Sequence, residues 1–253
     1  MKALKRILKI LLVAAFWCGV WAIASWRIGK PLLLPSPADV LETLWKLLQT
    51  PSFYLITAMS LLNILSGILI GVFGGVLLAV LTSRLSLLRE LILPVMSVVK
   101  ATPVASFIIL ALIWIGAKTV PTFITVLIVL PVVWTNLDVG FEKIDPQLLE
   151  VTRIYKFPFS KQLKLLYFPS LKPYFSSAVR TSLGLAWKAG IAAEIIAMPE
   201  GAIGTMIGEA KLYIETKEMF AWTLTVILLS LLFEWLFTTL FDRLDGKKKE
   251  VAP

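Results

Sequence analysis

Apolar runs long enough to cross a bilayer recur along the whole chain, separated by shorter segments that contain charged residues and proline. The 253 residues are 58% hydrophobic, with a mean hydropathy of +0.86. About 20 apolar residues span a membrane as a helix, because a helix satisfies its own backbone hydrogen bonds in lipid. The pattern therefore predicts an all-α membrane protein forming a single domain over residues 1–253. Its six predicted spans are residues 7–26, 55–81, 91–115, 120–139, 174–198 and 219–241.

The positions of the basic residues predict how these spans are oriented. An even number of spans puts both termini on one side, together with the long segment 141–173. Far more of the 25 Lys and Arg residues fall on this side than on the other. Because cytoplasmic loops are enriched in Lys and Arg, we expect a cell-membrane protein with cytoplasmic termini. Since the charge lies between apolar runs, it indicates membrane topology and argues against nucleic acid as a partner.

The first apolar run has a second interpretation. Basic residues followed by an apolar run and Ala22-Ile23-Ala24 also resemble a cleavable signal peptide. The run is about 20 residues long, however, whereas the apolar region of a signal peptide has about 7–15. We therefore expect it to be retained as the first membrane helix.

A short amphipathic helix is predicted after the first span. Ser36-Pro37 is typical of a helix start, and the following apolar residues recur at helical spacing. The helix is expected to lie flat at the outer membrane surface with Trp45 at headgroup depth. The alternative is an ordinary loop helix packed on the spans.

The composition excludes several kinds of chemistry. The chain has no His, and its single Cys is Cys18 in the first apolar run. Metal sites, haem ligation and Cys-His nucleophiles are therefore not expected. No GxxxxGK[ST] sequence is present, so a nucleotide-binding loop of that type is absent as well. We expect no catalytic residue, no metal and no cofactor in this chain.

Three glycines recur every four residues in the second span, at Gly67, Gly71 and Gly75. Small residues at this spacing allow a second helix to approach closely. The neighbour can be another helix of the same chain or a second subunit, and packing within the chain is the favoured interpretation.

Ionisable residues within the spans are candidates for a solute pathway. An ionised side chain at mid-membrane costs about 2.5–3.5 kcal/mol on insertion scales and usually faces protein or an aqueous cavity. Lys100 precedes Pro103, which is expected to bend the third span, and Arg180, Lys188 and Glu194 lie in the fifth. Lys188 and Glu194 are six residues apart and are predicted on different helix faces. Alternatively, Lys100 reaches the headgroups and Glu194 pairs with a lysine or a backbone donor.

Segment 141–173 is amphipathic and much longer than a simple connection, which commonly has about 4–6 residues. Residues 150–155 are predicted to form a short helix with Val151, Ile154 and Tyr155 on or near one side. Spaced apolar anchors of this kind fit a groove in a partner, and Arg153 and Lys156 would favour an acidic one. The alternative is a basic loop that lies on anionic membrane lipid.

The same segment resembles the EAA loop of ABC-importer permeases. The resemblance lies in Leu148-Leu149-Glu150-Val151-Thr152-Arg153 and in Phe168-Pro169, eighteen residues after the glutamate. It extends through KATPVASFIILALIWIG and AVRTSLGLAWKAGIAAEIIAMPEGAIG, and together these segments resemble permeases of sulfonate, nitrate and taurine importers. Val151 and Thr152 replace the two alanines of the family pattern. Lys156 stands where the family usually has glycine, so the turn there is expected to shift or to be made by other residues.

The resemblance implies a six-helix permease of the type I ABC importer kind. Such a permease works as a dimer of two permease copies with two ATPase subunits that bind ATP, and an extracytoplasmic binding protein delivers the solute. It implies that Glu150 to Phe157 contact the ATPase, and that the solute is small, such as a sulfonate, nitrate or taurine. A secondary transporter is the main alternative, but we find no internal repeat, and Glu194 is the one clear intramembrane carboxylate.

Overall fold

The computed structural model describes residues 2–244, and its regular secondary structure in this range is helical. Most of the long helices follow the predicted apolar runs, and shorter helices occupy the connections. The helices are α1 (Lys2–Ile28), α2 (Pro37–Leu48), α3 (Pro51–Arg84), α4 (Ser86–Ala101), α5 (Val104–Ile115), α6 (Val120–Glu142), α7 (Pro146–Ile154), α8 (Phe159–Gln162), a π-helical turn (Leu163–Tyr167), α9 (Phe168–Ala197), α10 (Ile203–Leu212) and α11 (Thr216–Leu244).

The predicted third span, residues 91–115, is not one continuous helix. The structure has two helices there, α4 and α5, which meet at an angle of 106°. Pro103 lacks the N–H of a continuous helix, and it disfavours helical geometry at the preceding Thr102, which has ψ 133°. The predicted bend at Pro103 is therefore present, but it is a complete break.

The length and composition of the helices support fewer spans than the predicted six. Among residues 2–244, four helices are long and apolar enough to cross a bilayer, and the bent pair α4–α5 makes up to five. The helix α9 is 30 residues long, but Arg180, Lys188 and Glu194 lower its hydropathy. A crossing by α9 stays a prediction.

Segment 141–173 contains more helix than expected. The helix α6 continues to Glu142, and the chain is helical from Phe159 through the π-helical turn into α9. The helix that contains the predicted fifth span therefore begins at Phe168, before the predicted span start at residue 174, and the membrane boundary of that span stays a prediction. Pro169 provides a reason for the π-helical turn before it, because proline cannot donate to the carbonyl four residues earlier. We call residues 143–167 the coupling segment.

The core of the molecule is the packing of α6 between α3 and α9. The three glycines of α3 lie directly against α6: a methyl group on Gly71 would be 2.7 Å from Cβ of Val129, and one on Gly75 would be 2.8 Å from Cβ of Val133. Contact within the chain, the favoured interpretation of the glycine repeat, is confirmed.

The amphipathic helix predicted after the first span is present as α2, and its place at the outer membrane surface stays a prediction. Ser36 caps it in a reciprocal arrangement with Asp39, and Pro37 occupies its first turn. Val40 and Leu44 are buried against the protein, while 65% of the Trp45 side chain is exposed. The helix thus packs on the body and presents its other apolar side outward.

Candidate functional site

The helix α7 is the central element of the coupling segment. It begins where the Asp145 carboxylate accepts a hydrogen bond from the Gln147 N–H at 2.8 Å, and Pro146 occupies its first position. A capped start with proline inside it is a strong local signal, so this helix forms even though it is short. It spans nine residues and contains the predicted helix at residues 150–155 except for Tyr155, which caps its C-terminal end.

Most of the surface of α7 is open. The exposed fractions of Val151, Ile154 and Tyr155 are 42%, 67% and 71%, whereas Thr152 is buried at 6%. Glu150 is exposed as well. The predicted apolar face is therefore present and exposed. Exposed apolar side chains on a protruding helix are typical of a surface that binds a partner.

The turn after α7 is made by Lys156 itself. Lys156 has φ +47°, in the left-handed region that favours glycine. Its N–H donates to the Arg153 carbonyl at 3.1 Å, and the Phe157 N–H donates to the Thr152 carbonyl at 3.0 Å. These two bonds form the Schellman ending, in which glycine usually occupies the left-handed position. The expectation that the turn would shift is wrong.

Contacts beyond Lys156 hold this turn in place. The Phe157 side chain is half-buried, and the ammonium of Lys161 lies 4.2 Å from the centre of its ring. The Gln162 side-chain amide donates to the Phe157 carbonyl at 2.8 Å. Arg153 is exposed on α7. The backbone therefore turns sharply here while the basic side chains stay in solvent.

The first two candidate pathway residues lie at the break between α4 and α5. Lys100 is exposed, and its ammonium donates to Thr135 Oγ1 on α6 at 3.1 Å. Pro103 is exposed at the break itself. Lys100 is thus hydrogen-bonded to α6.

The other three candidates lie on α9 in different environments. Arg180 is half-buried, Lys188 is exposed and Glu194 is completely buried. The prediction that Lys188 and Glu194 occupy different faces of the helix is confirmed. The structure does not bring the three side chains together into one site.

Glu194 anchors the start of α10. Its Oε2 accepts hydrogen bonds from the Ser60 hydroxyl at 2.8 Å and from the Gly204 N–H at 3.0 Å. The Ser60 oxygen in turn accepts from the Ile203 N–H at 2.8 Å. Two of the N–H groups that a helix start leaves unpaired are satisfied in this way. This geometry corresponds to the structural alternative with a backbone donor, and a pathway role for Glu194 stays a prediction.

One feature of α9 was missed by the sequence analysis. Ser177, Thr181, Gly184 and Lys188 recur at helical spacing, and all four are exposed. Small and polar residues on an open helix face are typical of a face that lines water or a polar ligand. Beside the N-terminal end of α9 lies a cleft of about 400 Å³, lined by Thr135, Asn136, Val139, Pro173, Tyr174 and Ser177.

Comparison with known families identifies the chain. Residues 67–248 match the family described as binding-protein-dependent transport system inner membrane component. The match covers well over half of the chain. The protein belongs to this family. The permease therefore has the type I ABC permease fold, and the break in the third span and the added helices are local features of it.

Several permeases of transport systems are similar to this protein over most of its length. A putative aliphatic sulfonates transport permease, SsuC of Bacillus subtilis, is 26% identical over 85% of this chain and 78% of its own. The nitrate import permease NrtB of Synechococcus elongatus is 25% identical, covering 82% and 77%. The taurine transport system permease TauC of Escherichia coli is 23% identical, covering 91% and 86%.

Family membership decides between the two transport mechanisms. The chain is the membrane permease component of an ABC importer, and the secondary-transporter alternative is not supported. A permease of this family implies ATPase and solute-binding protein partners.

Proposed function

We propose that the permease forms, as a homodimer, the translocation pathway for a small anion delivered by an extracytoplasmic binding protein. Two ATPase subunits would bind ATP and dock on α7. The observation that carries this proposal is the exposed apolar face of α7, formed by Val151, Ile154 and Tyr155. Because α7 directly follows α6 and precedes the helix leading into α9, movement of a docked ATPase would tilt both helices.

The solute class rests on two observations. The similar permeases named above belong to systems for aliphatic sulfonates, nitrate and taurine. In this chain Lys188 is exposed on the polar face of α9, and Lys100 reaches Thr135 beside the cleft. Cations on an open polar face favour an anionic solute.

The docking proposal is tested with Glu150→Arg. The side chain is exposed, so the variant should fold and insert normally while losing ATPase subunits during affinity purification and losing uptake. Glu200→Arg is the matched control, because Glu200 is also exposed but lies in the connection between α9 and α10. Normal subunit retention and normal uptake in Glu150→Arg would contradict a docking role for this residue.

The orientation is a separate part of the proposal. With Cys18 replaced by Ser, a cysteine at Gln162 should resist a membrane-impermeant thiol reagent in intact cells, because Gln162 would be cytoplasmic. A cysteine at Thr50 should react, since this exposed residue precedes α3 on the opposite side. Labelling of position 162 from outside would reverse the orientation.

A further inference from the structure

The residues around the connection between α3 and α4 contact the end of α6, just before the coupling segment, and the last part of the coupling segment itself. We call residues 82–89 the α3–α4 corner. Near the end of α6, the Arg89 guanidinium forms a two-pronged ion pair with Asp138, with Nε–Oδ1 at 3.0 Å and Nη2–Oδ2 at 2.8 Å. It also pairs with Glu142, the last residue of α6. This planar geometry fixes orientation as well as distance.

In the last part of the coupling segment, the contact is made by Arg84. Its guanidinium carbon lies 5.9 Å from the ring centres of both Phe159 in α8 and Tyr167 in the π-helical turn. The Tyr167 ring is in turn 6.3 Å from Phe141 of α6. Arginine over aromatic rings is an attractive arrangement that leaves its charge in solvent.

The junction beside these contacts is not completely filled by side chains. A cleft of about 330 Å³ lies between the corner and the end of α6, and Arg84, Arg89, Asp138 and Glu142 are among the residues that line it. The side chain of Arg89 is 36% exposed and that of Asp138 only 11%. The ion pair is thus partly shielded from water, where it is stronger than a fully exposed pair.

We propose that Arg84 and Arg89 are positioning residues that make the α3–α4 corner move together with the coupling segment. Displacement of α7 by an ATPase would then move α4 as well as α6 and α9. Because α4 ends at the break before Pro103, its motion would change the angle to α5, next to Lys100. This inference rests on the proposed function, since it requires an ATPase docked on α7.

The test uses the complete complex reconstituted in vesicles. Arg84→Gln and Arg89→Gln are compared with Glu90→Gln, which changes an exposed neighbour whose side chain forms no hydrogen bond or ion pair among the described residues. The readouts are subunit retention, ATP hydrolysis and solute uptake. We expect both arginine variants to retain the ATPase subunits and hydrolyse ATP, but to move about 2- to 30-fold less solute per ATP, the range by which mutations along a coupling network act.

The outcomes separate this inference from the proposed function. Unchanged uptake per ATP in Arg84→Gln, with the ATPase bound, would overturn the positioning role and leave the proposed function intact. Loss of assembly in parallel with uptake in both variants would also overturn it, because the arginines would then be structural only. If Arg89→Gln alone fails to assemble, Arg84→Gln decides, since it removes no ion pair with α6. An unmodified permease that binds no ATPase would overturn the proposed function itself.

Discussion

Replacing Lys156 by glycine tests the left-handed turn at the end of α7. A residue with a side chain pays about 1–2 kcal/mol in this backbone conformation. Glycine avoids that cost, but it also gives the opened turn more backbone conformational entropy, which cancels about 0.5–1 kcal/mol of the gain. The turn should therefore gain roughly 0.5–1 kcal/mol, which is a two- to fivefold change in its opening equilibrium at tenfold per 1.4 kcal/mol.

Amide hydrogen exchange measures this opening directly. The Phe157 N–H, which donates to Thr152 at 3.0 Å, should exchange two- to fivefold more slowly in Lys156→Gly, because the closed turn protects it. In Lys156→Val the exchange should be faster, since a β-branched residue is poorly tolerated at positive φ. Equal exchange rates in the two variants would refute the assignment of a left-handed turn.

The chain contains a matched control for this prediction. Ile214 has φ +61°, and the bond from the Glu215 N–H to the Ala210 carbonyl at 2.8 Å closes the same kind of turn after α10. Because isoleucine is β-branched, its cost in the left-handed region should exceed that of lysine. Ile214→Gly should slow exchange of Glu215 by a larger factor than Lys156→Gly slows that of Phe157.

Two further predictions concern stability. Gly71→Ala should lower the melting temperature in detergent, because the added methyl group would lie 2.7 Å from Val129 Cβ, an overpacking cost of about 1–3 kcal/mol. Gly74→Ala is the control, since its methyl group would meet a flexible leucine methyl at 3.2 Å. Equal stability of the two variants would contradict the packing argument. The Lys217 ammonium, 2.7 Å from Asp39, and then the Ser36 hydroxyl lower the pKa of Asp39 below its ordinary value of 3.8. The stability that the ionised Asp39 gains from these partners is complete above pH 3.8 and is lost as the pH falls through the lowered pKa. The stability of the unmodified protein should therefore fall more below pH 4 than that of Lys217→Met.

The parts of the fold that depend on local sequence signals were predictable. Apolar length and proline and serine caps are local, so the long helices, α2 and α7 were predictable. The break at Pro103 was predicted only as a bend, because the sequence indicates a lost hydrogen bond but not the angle that neighbouring helices allow. The turn at Lys156 was missed for a related reason: the absence of glycine suggested a shift, whereas the helix ending tolerates the cost of a lysine.

Contacts between distant parts of the chain could not be predicted in this way. Arg89 and Asp138 are 49 residues apart, and no spacing rule connects them. Their position at the ends of adjacent helices on one side of the membrane was the available signal, since opposite charges there have few other partners. Arg84 offered no signal, because its aromatic neighbours lie in a segment that the sequence suggested to be loop.

The energetic cost of a carboxyl group in a membrane span identified Glu194 as unusual but did not predict its role. The cost of a carboxylate within a span correctly marked this residue as special, but the cost alone does not distinguish a solute pathway from an internal anchor. Its partners are Ser60, 134 residues earlier, and the backbone of α10. The carboxylate thereby ties together α3, α9 and α10 at one point. A buried carboxyl group acts as an internal anchor where backbone N–H groups beside it need a partner. Which backbone groups lie beside it depends on the packing of helices that are distant in sequence.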